Sequence, residues 1–276
     1  MTKKFAIIGK PISHSLSPTL HNYWFKKYDL DSYYSLMDVH ESDLGNVVEK
    51  IRTGKLSGIN VTLPFKQKII PFLDALINDA KFTNSVNTVY LDKNNRLVGE
   101  NTDVFGVQAA FLKEIVNVEN KNALIIGAGG VAPSIIKSFQ TSKIKKISIV
   151  NRTYEKSVFL GKKFNLSNII KWNNLKNELS KFDIIINATS LGLKNNDNFD
   201  FNFDNIKTGL IYIDTIYNPL ETRNIKLLKE KGIKTFNGLN MFIYQGQKSF
   251  YLWNKINPEI DDRLLDLLGS KLKWSK

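Results

Sequence analysis

The sequence predicts an α/β protein in two parts: an N-terminal part with a mixed, mainly parallel sheet, then a doubly wound parallel sheet. Three observations carry this. Short apolar runs of strand length alternate with helix-length amphipathic segments along most of the chain. Two such runs in the first hundred residues flank Asp92-Lys93-Asn94-Asn95, a turn signal that makes them a hairpin and the first sheet mixed. In the middle, a buried strand runs directly into Gly127-Ala128-Gly129-Gly130-Val131-Ala132 and then into a helix.

Taken in order, residues 5–8, 33–39 and 57–62 read as strands, with helical patterns over 18–27 and 44–52. Residues 87–91 and 96–98 are the arms of the hairpin. The segment 104–116 has apolar residues at 104, 105, 107, 111, 112, 115 and 116 and predicts a helix joining the two parts. Strands are expected at 123–126, 147–150, 184–187 and 210–214, separated by helices at 132–140, 154–164 and 221–231. That rhythm is the one that winds helices over both faces of a parallel sheet. Beyond Gly238, residues 241–253 and 258–268 predict two closing helices.

Composition narrows the function. With 276 residues, 42% hydrophobic and 24% charged, the chain can bury a core without staples. It has no cysteine, which excludes disulfides, zinc–thiolate sites, iron–sulfur clusters and thiol nucleophiles. The net charge of +13 suits anionic ligands. The basic residues are scattered, however, and five are Arg (Arg52, Arg96, Arg152, Arg223, Arg263), so no nucleic-acid footprint is present and no nucleic-acid partner is expected. The apolar stretch 5–8 is too short for a signal peptide, and no run approaches the roughly 18 residues that span a bilayer. A soluble, cytoplasmic protein without membrane partner is expected. His14, His21 and His40 have no ligand spacing, and no metal site is expected.

The Gly127–Ala132 run is a Gly-x-Gly-x-x-Ala dinucleotide fingerprint. Gly127 allows the tight turn, Gly129 lets backbone approach a diphosphate, and Ala132 permits close helix–strand contact. Ala128, Gly130 and Val131 complete the loop, and the diphosphate is expected on the helix N-terminus. The expected fold of this part is therefore a Rossmann domain. The next strand ends in Asn151-Arg152-Thr153, without the carboxylate that usually holds the ribose 2′-hydroxyl of NAD. Arg152 can clasp a 2′-phosphate, with Asn151 and Thr153 donating beside it, which predicts NADP (NADPH) as cofactor. The competing reading of Arg152 is a surface ion pair with Glu155.

Two polar runs stand out in the N-terminal part. Ser15 and Ser17 lie two residues apart, so in an extended segment their hydroxyls share a side and can bind a carboxylate; on this motif alone, capping of a helix ahead of Pro18 is the stronger reading. The run Asn60 to Lys66 is dense in polar groups after a strand. Together with residues 9–18 and 60–66, the runs at 86–88, 99–103, 127–130, 151–153, 187–193, 217–222 and 238–245 make the chain resemble the shikimate dehydrogenase family, in the family's order and across nearly the whole chain.

The resemblance implies reversible reduction of 3-dehydroshikimate to shikimate with NADPH, in chorismate and aromatic amino-acid biosynthesis. It implies Lys66 and Asp103 as the acid–base pair, and Ser15 and Ser17 as the carboxylate site. Thr62, Asn87, Asp103 and Gln245 would meet the ring hydroxyls and the reacting oxygen, with Tyr217 near both substrate and nicotinamide. Thr189, Ile216, Gly238 and Met241 join the glycine loop as cofactor-side residues. The family fold implies a substrate-binding domain of residues 1–103 plus 239–276 and an NADP-binding Rossmann domain of residues 104–238, in a monomer or homodimer. The chain departs from the family pattern at Val104, at Val131-Ala132-Pro133 and at Glu100, and none of these removes a group the reaction needs. The alternatives are a quinate/shikimate dehydrogenase of broader specificity using NAD(P), a ligand-sensing regulator without catalysis, and another two-domain Rossmann enzyme.

Overall fold

The computed structural model describes residues 2–194 and 197–272. The chain divides into two compact units: residues up to Phe105 together with Ile243–Lys271, and Gly106–Phe242.

The first unit contains β1 (Lys3–Gly9), α1 (Ser17–Lys27), β2 (Ser32–Asp38), α2 (Leu44–Arg52), β3 (Gly58–Val61), β4 (Ala75–Leu76), α3 (Asp79–Thr83), β5 (Thr88–Leu91), β6 (Leu97–Glu100) and the start of α4 (Asp103–Ala110). The sheet order is β2-β1-β3-β5-β6-β4. β5 alone runs against its neighbours; the other pairings are parallel. Its reversal is made by the turn at 92–95, where Asp92 Oδ1 accepts from the N–H groups of Asn94 (2.8 Å) and Arg96 (2.9 Å) and Asn95 takes φ 56°. α2 buries Leu44, Val47, Val48 and Ile51, the one-sided spacing of a helix on a sheet.

The second unit contains the rest of α4, then β7 (Asn122–Ile126), α5 (Ala132–Thr141), β8 (Lys146–Val150), α6 (Tyr154–Lys163), β9 (Asn168–Ile170), α7 (Leu175–Glu178), β10 (Ile184–Asn187), β11 (Ile211–Asp214), α8 (Arg223–Glu230), β12 (Lys234–Phe236) and the start of α9 (Leu239–Asn254). The order β12-β11-β10-β7-β8-β9 is parallel throughout. Counted from β7 this is 3-2-1-4-5-6, the Rossmann order. Ala123, Leu124, Ile125 and Ile126 are all 0% exposed, as a central strand covered on both faces requires. α9 then returns the chain to the first unit, which α10 (Asp262–Lys271) closes.

The structure corrects the predicted elements in several places, the short helices α3 and α7 among them. The helix expected over 104–116 ends at Ala110 and gives way to a 3₁₀ turn at Leu112–Glu114; β-branched Ile115 and Val116 follow, and Asn117 turns left-handed at φ 54°. The last helix begins at Asp262 rather than 258, because Asp261 Oδ1 accepts from Leu264 N at 2.9 Å and caps it there. β4, β9 and β12 were not expected; at two or three residues they are too short for a periodicity to show. Among the described residues no helix is long and apolar enough to cross a membrane.

His21 lies in the apolar interior of the first unit, face-on to Tyr34 (ring centroids 4.4 Å apart, planes 7° apart) and edge-on to Trp24. Neither ring nitrogen has a hydrogen-bond partner among the described residues, and burial pushes the imidazole down to about 3 from 6.5. The unfolded chain therefore takes up a proton between these values that the folded chain refuses. The neutral ring's contribution is complete above pH 6.5 and is lost as pH falls towards 3, at about 1.4 kcal/mol per pH unit. Urea unfolding at pH 7 and pH 4.5 is expected to show His21→Phe losing about 2–3 kcal/mol less stability than the wild type over that interval.

Candidate active site

Because β5 alone is reversed, the carboxyl ends of β1, β3 and β6 and the amino end of β5 lie at one end of the first sheet. Four chain segments emerge there: the 9–17 stretch after β1, Thr62 to Lys66 after β3, Asn87 before β5 and Asp103 after β6. Lys66 Nζ donates to Asp103 Oδ2 at 2.6 Å, with side chains only 12% and 8% exposed. Asn87 Nδ2 donates to Asp103 Oδ1 at 2.9 Å and faces Gln245 Oε1 of α9 at 3.3 Å. Asp103 also opens α4, where the helix dipole favours a negative charge, and its N–H donates to Asn101 Oδ1 at 3.1 Å. Lys66, Asn87, Asp103 and Gln245 are thus brought into one cluster.

Ser15 and Ser17 also meet, with Ser15 Oγ donating to Ser17 Oγ at 3.1 Å. They do so across a turn into α1 rather than in an extended segment: Ser15 N donates to Ile12 O, and Ser17 N to Ser15 Oγ at 3.3 Å. Ser15 therefore does part of the capping work that competes with a binding role. Thr62 is half-buried, and its hydroxyl makes no hydrogen bond among the described residues.

In the second unit the order reverses between β7 and β10, and the loops after these two strands touch. Gly127 sits at φ +113°, and a Cβ there would fall 2.8 Å from Thr189 Cγ2 and 2.9 Å from Ala188 O. At Gly129 a Cβ would meet only Ala188 O at 3.9 Å, so the space before it is open. The N–H groups of Gly129, Gly130 and Val131 make no hydrogen bond among the described residues, and no side chain caps α5. Three successive free donors on an uncapped helix of ten residues fit a diphosphate. Ala128 N is held by Asn151 Oδ1 at 3.1 Å, while Asn151 Nδ2 donates to Thr153 O at 2.9 Å. The Asn151 amide therefore shapes the loop through its oxygen and one of its two N–H bonds. Arg152 is exposed and makes no ion pair among the described residues, so the alternative partner Glu155 does not engage it.

The loops after β10 and β11 are tied by Asp214. Its carboxylate accepts from Ile216 N (3.0 Å), Asn187 Nδ2 (3.2 Å) and Thr222 Oγ1 (2.9 Å), while burial pushes it up to about 6. Asn187 Oδ1 in turn holds Thr189 N (3.0 Å) and Oγ1 (2.7 Å). Gly238 N donates to Ile216 O at 2.8 Å, and a Cβ on Gly238 would lie 2.2 Å from Thr215 O. Tyr217 stacks on Phe242 at 4.7 Å, and Met241 is buried beside it in sequence.

Sequence reasoning missed the polar groups behind these residues. Asn60, Thr88 and Thr102 sit within the recognised runs, where strand patterning hid them, and Asn187 and Asp214 end strands in the same way. Ser249, deep on α9, carried no signal beyond the polar side of a helical pattern. Among the described residues no group of three or more His, Asp or Glu could hold a metal ion.

Comparison with known proteins bears on this arrangement. A family model described as shikimate dehydrogenase substrate binding domain matches residues 7–89, and one described as shikimate / quinate 5-dehydrogenase matches residues 110–214. The chain is 46% identical to a shikimate dehydrogenase (NADP(+)) of Pelagibacter ubique, over 97% of this chain and 99% of the relative. Among solved structures, a shikimate dehydrogenase in complex with NADP+ is 34% identical with a TM-score of 0.90, covering 99% of this chain and 96% of that one. The Thermus thermophilus shikimate 5-dehydrogenase in complex with NADP(H) and shikimate is 27% identical with a TM-score of 0.88, covering 98% of this chain and all (100%) of that one.

The two loop glycines should behave differently in the free protein. Gly127→Ala forces a side chain into a positive φ and a collision with backbone, and is expected to cost about 1–3 kcal/mol. Gly129→Ala meets open space and is expected to stay within about 0.5 kcal/mol of wild type. Chemical denaturation midpoints of the two variants check this.

Proposed function

This chain belongs to the shikimate dehydrogenase family, and we propose that it reversibly reduces 3-dehydroshikimate to shikimate with NADPH as reductant. The observation that carries the reading is the Lys66–Asp103 pair at 2.6 Å, nearly out of water, with the Asn87 and Gln245 amides beside it. In this reading residues 1–103 plus 239–276 form the substrate-binding part and residues 104–238 the NADP-binding part.

NADPH supplies the hydride when bound. Gly127 to Ala132 would hold its diphosphate and Arg152 its 2′-phosphate, with Thr153, whose hydroxyl caps nothing, beside Arg152. Thr189, Ile216, Gly238 and Met241 would shape the nicotinamide side. The chain's own contribution to the chemistry lies with Lys66. As the ketone gains the hydride, negative charge grows on its oxygen; an ammonium at hydrogen-bond distance stabilises that charge and gives up a proton to it. In the reverse direction the neutral amine accepts the alcohol proton. Asp103 holds the lysine and accepts from an adjacent hydroxyl, while Asn87, Gln245 and Thr62 take the remaining polar atoms of the ring. Ser15 and Ser17 turn their hydroxyls to the substrate carboxylate, and Tyr217 lines the reacting end.

Initial rates on shikimate and quinate, each with NADP+ and NAD+, test the reading, with shikimate and NADP+ expected to be preferred. Quinate turned over as well as shikimate would favour the broader dehydrogenase. Arg152→Ala is expected to weaken NADPH far more than NADH, and an equal loss would remove Arg152 from the 2′-phosphate. Lys66→Ala is expected to lower kcat by about 10²–10⁴ with little change in shikimate binding by calorimetry; near-normal turnover would remove Lys66 from the mechanism.

A further inference from the structure

Ser249 lies on α9 one helical turn after Gln245, is 0% exposed, and has no place in the chemistry just described. Its Oγ donates to Gln245 O at 3.1 Å, accepts from Asn60 Nδ2 at 3.1 Å, and lies 2.8 Å from Thr88 Oγ1 and 3.1 Å from Thr102 Oγ1. Every partner adjoins or carries a residue of the substrate cluster. Thr88 follows Asn87, Thr102 precedes Asp103, Asn60 Nδ2 also donates to Asn87 O, and Gln245 is itself a member.

Donor counting gives the bonds a direction. A serine has one proton and two lone pairs. Gln245 O can only accept, so the proton goes there; Asn60 Nδ2 can only donate, so one lone pair is taken. The other takes a threonine hydroxyl. Both threonines are also 3.1 Å from Asn87 Oδ1, which accepts in addition from Thr102 N at 2.8 Å. The threonine proton not given to Ser249, together with Thr102 N, holds the oxygen of the Asn87 amide towards the strands. Its NH₂ is thereby turned towards Asp103 Oδ1 at 2.9 Å, with Thr102 Oγ1 at 2.9 Å and Gln245 Oε1 at 3.3 Å beside it.

We propose that Ser249 is a positioning residue for substrate recognition: it fastens α9 to the ends of β3, β5 and β6 and so fixes the Gln245 and Asn87 amides in register around the substrate's ring hydroxyls. The inference rests on the function proposed above. A serine that merely filled space would be replaceable by alanine at no cost to recognition. Removing the hydroxyl leaves no stranded donor, since Asn60 Nδ2 still reaches Asn87 O (2.9 Å) and Thr88 Oγ1 (3.1 Å), so Ser249→Ala should fold.

The test is a double-mutant cycle of Ser249→Ala with Gln245→Ala, read on shikimate oxidation with NADP+. Ser249→Ala is expected to raise KM for shikimate about fivefold, the effect of one hydrogen bond, with kcat and the KM for NADP+ within about twofold. With Gln245 already replaced, the same change should raise it less than about twofold, because coupled residues are not additive. An unchanged KM, or the same factor in both backgrounds, overturns the proposal. A second readout needs no turnover: NMR exchange of the Asn87 side-chain amide protons in the free protein should be at least about fivefold faster in Ser249→Ala, and an unchanged rate overturns the proposal. A wild-type chain that fails to oxidise shikimate would sink the functional reading, while the exchange measurement would still decide whether Ser249 places Asn87.

Discussion

A carboxylate taken almost wholly out of water governs the first unit. Asp103 is 5% exposed, and stripping water from an ion costs several kcal/mol unless its lone pairs are met. Lys66 meets one oxygen and Asn87 the other. Asn87 must then be held in turn, and the demand passes to Thr88, Thr102, Asn60 and Ser249, all at most 4% exposed. Short neutral side chains that both donate and accept can close such a network in a small volume, whereas a half-satisfied network would be worse than an apolar core. The reversed strand β5 makes the closure possible. It brings an amino end between two carboxyl ends, so that Asn87 arrives beside Asp103 from the opposite chain direction.

The second unit meets the opposite requirement. Where the first unit meets both oxygens of a fixed charge, the second leaves backbone donors unmet at the start of α5. Among the described helices of this unit Thr222 caps α8 by accepting from Ile225 N, whereas α5, α6 and α7 start without a side-chain cap. The open end survives because rigidity is supplied around it. Gly127 presses backbone to backbone with the loop after β10, and Asp214 and Asn187 knit that loop to the one after β11. Asp214 bears a penalty for this, visible in a carboxyl pushed up to about 6 by burial despite its donors. A groove for a charged ligand is therefore walled by groups already satisfied and floored by groups that are not.

What the sequence makes legible follows from where the information sits. Gly127 is readable because the need for a positive φ is met by one residue type, and the buried strands of the parallel sheet are readable because continuous Ile and Val runs have few other uses. Strands of two or three residues, such as β4 and β12, carry no periodicity and exist only because a neighbour offers hydrogen bonds. The end of α4 was illegible because the apolar pattern continues through Ile115 while the backbone does not. In the candidate site, Lys66 alone reads as one more solvated lysine, and the surrounding run singles it out. Ser249 is illegible for a deeper reason. Its partners lie 161, 147 and 189 residues away, and their convergence is a property of three strand ends and a returning helix that no local pattern encodes.

Asn151 shows how one position can serve two demands. An acidic residue at the end of the second strand of a dinucleotide fold would grip a ribose hydroxyl and repel a phosphate placed there. The amide at this position keeps the structural task, accepting from Ala128 N, and adds a donor that secures Thr153 O. The charge is what has gone. With no ion pair to a carboxylate among the described residues, the Arg152 guanidinium remains uncommitted at the same strand end. An unpaired planar cation is the electrostatic setting in which a dianionic group gains most, since it need not break an existing ion pair to bind. On the function proposed above, a preference for a phosphorylated dinucleotide would rest as much on the neutrality of Asn151 as on the charge of Arg152.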